Sequence, residues 1–178
     1  MRAQDEADIV ACIPSLRRYA RGLLSDPDRA DDLVQDTLER AWSRFSLWQK
    51  RSELRAWMFG IMHNHFIDRV RAQRSRPEDS AGDALPDLPQ RPQQTDGLEV
   101  RDLDRLLQRL PPEQREVLLL VSVEELSYQE VATVTGVPVG TVMSRLSRAR
   151  ARLRDEMAAA GTPPDKVTVT TDRIQRVK

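Results

Sequence analysis

The stretch that most constrains the fold of this chain is Ser127 to Arg154, SYQEVATVTGVPVGTVMSRLSRARARLR. Its spacing predicts two helices with a tight turn between them. Ser127 followed three residues later by Glu130 is a capping-box start, in which each side chain satisfies an orphan amide of the first turn. A short helix over 128–135 carries Val131, Ala132 and Val134. Gly136 supplies the turn, and Pro138 suits the first position of the next helix, where a missing N–H costs nothing. From Val139 on, Val142, Leu146, Ala149 and Leu153 recur at 4-3-4 spacing and define one buried stripe. Thr141, Arg145, Arg148 and Arg152 repeat the same spacing about 100° round the helix, with Ser144 beside them.

Five arginines and no acid lie between Pro138 and Arg154. Taken alone, such a helix is either a solvated basic surface or a nucleic-acid contact. The capped partner helix and the glycine turn favour the second, because together they make the helix-turn-helix pattern. Guanidinium groups suit such a contact, since they bind phosphates bidentately and match guanine edges in the major groove.

A net charge of zero at first argues against a nucleic-acid partner. The average conceals segregation. Asp26–Glu39 holds six acids, whereas Arg69–Arg76 holds four arginines and no acid. One acidic and two basic patches point to separate partners for separate surfaces. Cys12 is the single cysteine, which leaves no pairing or thiolate cluster within the chain. No apolar run approaches the length of a membrane span, and MRAQDEAD lacks a signal-peptide core. The expectation is a soluble, cytoplasmic protein without membrane insertion.

Upstream, Ile9, Ile13, Leu16, Ala20 and Leu23 mark an amphipathic helix over 9–24, ending near Gly22–Pro27. A second helix, 29–45, has a broad apolar side from Leu33 to Phe45 and acids elsewhere. Asp31 and Asp32 are explained by the positive end of the helix dipole, but Asp36 and Glu39 lie beyond the first turn. A long helix over 53–74 packs through Leu54, Met58, Ile61, Met62, Phe66 and Val70. Trp57, Gly60, Asn64, Asp68 and Arg71 share another face within about 60°. That face is either a core tryptophan with solvated neighbours or a platform for single-stranded nucleic acid, which needs a ring, amide donors and cations.

Residues 77–100 carry four prolines, scattered acids and no helical period, the composition of a flexible linker. The fold class is therefore all-α: two small helical domains, 1–76 and 101–158, joined by that linker, the second a helix-turn-helix domain. Residues 159–178 read as a tail without an assignable role. His63 and His65, two apart on a helix, point about 200° away from each other and cannot share a metal. His65 is placed for one hydrogen bond to Asp68. Phosphate-binding, dinucleotide and nucleophile-elbow motifs are all missing, so neither an enzyme nor a cofactor is expected.

Taken in order, DLVQDTLERAW (32–42), LRAWMFGIMHNHFIDRVRAQRSR (54–76), LPPEQREVLLL (110–120) and the 127–154 stretch resemble the extracytoplasmic-function (ECF) group of bacterial sigma factors. These are specificity subunits of RNA polymerase in the sigma-70 superfamily. Each motif is degenerate alone; four in this order and spacing are highly specific, and the resemblance covers about residues 9–157.

The resemblance implies roles for particular residues. Asp32, Gln35, Asp36, Leu38, Glu39 and Trp42 would dock on the clamp helices of the largest subunit of core RNA polymerase. Trp57, Asn64, Asp68, Arg71 and Arg74 would hold the melted −10 strand of promoter DNA. Thr141, Ser144, Arg145, Arg148 and Arg152 would enter the major groove of the −35 element. An anti-sigma factor is the implied regulator, and stress response the implied setting. Met143 departs from the pattern, standing where many relatives carry a basic residue, and a thioether makes no bidentate contact there. Two rivals are a helix-turn-helix regulator that never meets polymerase and a sigma-like decoy for an anti-sigma factor. The first leaves the acidic helix unexplained, the second the arginine clusters.

Overall fold

The structure is a computed structural model and describes residues 3–45, 48, 53–74 and 96–159. Seven helices account for nearly all of them: α1 Ala3–Leu23, α2 Pro27–Arg44, α3 Leu54–Arg74, α4 Asp96–Gln108, α5 Pro112–Ser122, α6 Tyr128–Thr135 and α7 Val139–Ala159. No helix among the described residues is long and apolar enough to cross a membrane.

The first three helices form around the apolar stripes read from the sequence. Ile9, Leu16, Ala20 and Leu23 of α1 are buried, as are Ala30, Leu33, Val34 and Ala41 of α2. α1 begins six residues before the first residue of the expected span and runs through Pro14, whose ring lies on the exposed side. Asp26 caps α2, its Oδ1 accepting from the amides of Asp28 and Arg29 at 2.9 and 3.3 Å, and Pro27 takes the first helical position. Buried Thr37 donates its hydroxyl to the Leu33 carbonyl at 2.7 Å, which lets a polar residue sit in the core. Met58, Phe59, Ile61, Met62 and Phe66 bury α3, and Phe59 meets Tyr19 edge-on at 5.1 Å.

In the C-terminal half, α6 has the boundaries the sequence predicts. Both bonds of the Ser127–Glu130 capping box are made, and Gly136 turns the chain at φ 66°. α7 starts at Val139 rather than at Pro138. Pro138 instead occupies the cap position, its carbonyl accepting from the amides of Thr141 and Val142 at 2.8 and 3.1 Å. α4 begins at Asp96, inside the stretch 77–100 expected to be linker; residues 75–95 and the tail beyond Ala159 lie outside the described residues.

The two halves pack directly on one another, α5 against α1 and α6 against α3. Part of that seam is apolar. Leu119 fills the space beside Gly22, where a Cβ would come within 2.7 Å of the leucine side chain. Much of it is polar. Arg115 reaches across to donate to the Leu23 carbonyl at 2.7 Å, while its other N–H groups hold the carbonyls of Leu107, Gln108 and Leu110 at 2.8–3.1 Å. It thereby satisfies carbonyls that helix ends leave orphaned. Burial lowers the Arg115 guanidinium from its ordinary value, although it stays a cation.

Two fully buried carboxylates, Glu116 and Glu124, complete the seam. Arg18 grips Glu124 with two bonds at 2.8 and 2.9 Å, and Arg55 adds a third at 2.5 Å. Glu116 Oε1 accepts from the Tyr19 hydroxyl at 3.0 Å and faces His63 Nδ1 at 2.5 Å. Burial, reinforced by the Glu116 charge, pushes the Tyr19 phenol well above its ordinary value, so it remains a donor. After α5, Glu125 adopts φ 53°, a left-handed conformation uncommon for a residue with a Cβ.

Candidate nucleic-acid interface

Three surfaces gather the residues singled out in the sequence. On the outer side of α2, Asp32, Gln35 and Glu39 are exposed, Asp36 and Leu38 are half-buried, and Trp42 is 56 % exposed. Gln35 donates to Glu39 at 3.3 Å, one turn apart. Asp36 is already engaged: Arg69 of α3 donates to its Oδ2 at 2.8 Å, and His65 Nε2 lies 3.5 Å from the same oxygen. His65 therefore faces Asp36 and not Asp68, because the α2–α3 packing puts a closer carboxylate opposite the ring. A protein docking on α2 meets Asp36 together with Arg69, not a bare carboxylate.

On α3, Asn64, Asp68 and Arg71 are exposed along one face, and Arg74 is the last residue of the helix. Trp57 is only half-buried. Its ring lies 6.2 Å from Trp48, which in turn stands 5.4 Å from Phe45. These rings form an aromatic corner between α2 and α3, so Trp57 joins the packing seam while keeping part of its surface open.

The third surface is α7. Val142, Leu146 and Ala149 are buried against the rest of the helix-turn-helix domain. The adjoining face, about 100° round the helix, presents Arg148 and Arg152 to solvent, with Thr141, Ser144 and Arg145 half-buried beside them. The Ser144 hydroxyl donates to the Thr141 carbonyl at 3.0 Å, leaving its lone pairs as acceptors. Met143 is 53 % exposed, so the thioether lies on the open surface of the same helix. α5 and α6 both pack against α7. Among the described residues no group of three or more His, Cys, Asp or Glu side chains is placed to hold a metal.

The residues that sequence reasoning missed are those of the seam between the halves: Arg18, Tyr19, Arg55, His63, Arg115, Glu116 and Glu124. One signal was available. QRE at 114–116 runs straight into VLLL, so a charged pair had to enter an element whose residues 114–120 are all buried.

Comparison with known proteins agrees with this geometry. Residues 101–153 match the family model "Sigma-70, region 4", and residues 9–63 match "Sigma2 domain of PhyR". The chain is 43 % identical over 146 residues to the ECF RNA polymerase sigma factor EcfG of Rhodopseudomonas palustris, covering 82 % of this chain and 81 % of the relative. It is 36 % identical over 161 residues to ECF sigma factor SigC of Mycobacterium tuberculosis, covering 90 % and 84 %. Among solved structures it superposes on the sigma factor RpoE of Bartonella quintana, in complex with the anti-sigma factor NepR, with a TM-score of 0.77 at 34 % identity, over 88 % of this chain and 98 % of that one. The anti-anti-sigma factor PhyR of the same organism shares the fold at 19 % identity, with a TM-score of 0.58, covering 85 % of this chain and 50 % of that one. The chain belongs to the ECF sigma factors, RNA polymerase subunits of the sigma-70 superfamily that direct transcription initiation.

Proposed function

We propose that the surfaces divide the work of initiation as follows. The α2 face, with Asp32, Gln35, Asp36, Leu38, Glu39 and Trp42, binds the clamp helices of the largest polymerase subunit. The α3 face, with Trp57, Asn64, Asp68, Arg71 and Arg74, holds melted −10 bases. The α7 face, with Thr141, Ser144, Arg145, Arg148 and Arg152, sits in the major groove of the −35 element. Residues 1–76 and 101–158 act as the two recognition domains and 77–100 as the link between them.

The observation that carries this reading is the pair Arg148 and Arg152, open on the helix-turn-helix surface while the neighbouring stripe of Val142, Leu146 and Ala149 is buried. An aligned pair of guanidinium groups on a rigid helix can reach base edges and phosphates without reordering the backbone. On the −10 side the chemistry is trapping. Exposed amide and cationic groups beside a partly open indole stabilise unstacked bases, so melting is drawn forward by binding rather than driven by a hydrolysed nucleotide. The chain then acts as a binding subunit in the cytoplasm, and the polymerase does the catalysis.

An anti-sigma factor is the proposed regulator, supported by the relative RpoE, which was solved with the anti-sigma factor NepR. The decisive experiment is run-off transcription from sheared genomic DNA with bacterial core polymerase, with and without the protein, followed by sequencing of the 5′ ends. New starts sharing spaced −35 and −10 elements are expected; no new starts, with no co-purification of core enzyme, would overturn the reading. Arg148→Ala should weaken −35 recognition by about 1–3 kcal/mol and relax preference at one base position.

A further inference from the structure

The outward side of α7 is wider than its arginine flank. Val142, Leu146 and Ala149 are buried, and at about 100° per residue their mean direction lies about 90° to one side of Met143. The direction that points away from the domain therefore falls about 90° to the other side of Met143. It lies between Met143 and Arg148, which stand about 140° apart round the helix. Ser144 and Ser147 occupy the arc between them. A duplex facing this side of the domain meets Arg148 on one flank and Met143 on the other. The Met143 flank is low. Gly140 precedes it by one turn and Ser147 follows it by one turn, both exposed. A Cβ added at Gly140 would meet nothing within 4 Å, so no neighbouring element fills that space. Between those two small residues the thioether, 53 % exposed, is the tallest group. Met143 is also the fifth residue of α7, in the N-terminal part of a recognition helix, the part that contacts base edges.

We infer that Met143 is a specificity-determining residue of the −35 contact, selecting thymine by packing its thioether against the C5-methyl group in the major groove. The inference rests on the placing of α7 in that groove, given above. Of the groups that base pairs present there to a side chain, the thymine methyl is the apolar one; the others are hydrogen-bond donors and acceptors. A thioether donates nothing and accepts weakly. Against a polar base edge it would strip water without replacing the lost hydrogen bonds, whereas against the methyl it removes apolar surface from water. The choice of thymine is thus made by attraction and by rejection together. The unbranched side chain, with three rotatable bonds, can follow the methyl without moving the helix. A lysine or arginine at position 143 would favour guanine instead, so the residue found here changes the base preferred at one position of the element.

The test uses the full chain with core polymerase. Promoter duplexes carrying the elements found by run-off sequencing are bound to this holoenzyme, with each −35 thymine replaced singly by deoxyuridine, which lacks only the C5-methyl. One replacement is expected to weaken binding about fourfold, the effect of leaving one methyl group unburied. Met143→Leu should keep that difference, whereas Met143→Ala, too short to reach, and Met143→Gln, polar at its tip, should abolish it. Met143 is exposed and all three replacements are good helix formers, so the variants keep the fold. A merely structural role for Met143 would not move the ratio of thymine to deoxyuridine affinities. Wild-type binding indifferent to every replacement, a −35 element without thymine on either strand, or a difference that survives in Met143→Ala overturns the inference. Weaker binding by Arg148→Ala in the same assay shows that the DNA face itself stands when the thymine result fails. If the chain directs no initiation, the polymerase reading falls, and the same comparison is made on duplexes that the full chain selects from a randomised pool. Selection of no duplex overturns the DNA face and the inference together.

Discussion

Single residues set the shape of the helix-turn-helix unit. Gly136 at φ 66° is in a conformation that costs a residue with a Cβ about 1–2 kcal/mol, so Gly136→Ala should lower the unfolding free energy by that amount in urea titration. Glu125 shows the same effect uncorrected. Replacing it with glycine should raise stability by about 1 kcal/mol, the left-handed penalty offset in part by glycine's own entropy. The capping box brings a pH dependence. The Ser127 hydroxyl and then its amide hold the Glu130 carboxyl below its ordinary value. A lowered folded-state value means the contribution is complete above the ordinary carboxylate range and is lost as pH falls through the lowered one. Ser127→Ala, costing about 1 kcal/mol near neutrality, should therefore melt progressively closer to the wild type as the solution is acidified.

At the scale of elements, α5 is the joint between the halves, and Arg115 is its best-connected side chain. Lysine cannot reproduce a planar fork of five donors, and Arg115→Lys would leave carbonyls of Leu23, Leu107 and Leu110 short of partners. A loss of about 3 kcal/mol is expected from the shift of the urea midpoint. This is also the scale at which legibility in the sequence divides. The α6–turn–α7 unit could be read because capping, glycine and period are local signals that agreed with one another, and Val142, Leu146 and Ala149 are buried as their spacing requires. The stripes of α1 and α3 were equally legible. Their second partners were not: period tells which face of a helix is apolar but not that α1 also packs on α5, or α3 on α6. Glu116 and Glu124 look like surface acids in the sequence because their partners lie 53 to 106 residues away. The start of α4 is not legible, because Asp96–Val100 adjoins a proline-rich run whose composition masks a helix start.

For the whole molecule, zero net charge conceals opposed surfaces, and the structure shows that they touch. Asp36 of the acidic helix is bonded to Arg69 at the head of a basic cluster, so part of the segregation is neutralised internally. Arg148 and Arg152 stay exposed on α7. Affinity for a −35 duplex should fall linearly on a log–log salt plot, and Arg152→Ala should reduce the magnitude of that slope by about 1 if it neutralises one phosphate, a change readable by fluorescence anisotropy of labelled duplex.

The aromatic corner has an optical consequence. All three tryptophans of the chain, Trp42, Trp48 and Trp57, belong to the α2–α3 region, and the helix-turn-helix half has none. The indole emission of the unlabelled protein is therefore a local gauge of the proposed clamp-binding and −10 surfaces. Core polymerase engaging Trp42, or melted DNA reaching Trp57, should shift that emission, whereas a −35 duplex bound at α7 should leave it unchanged.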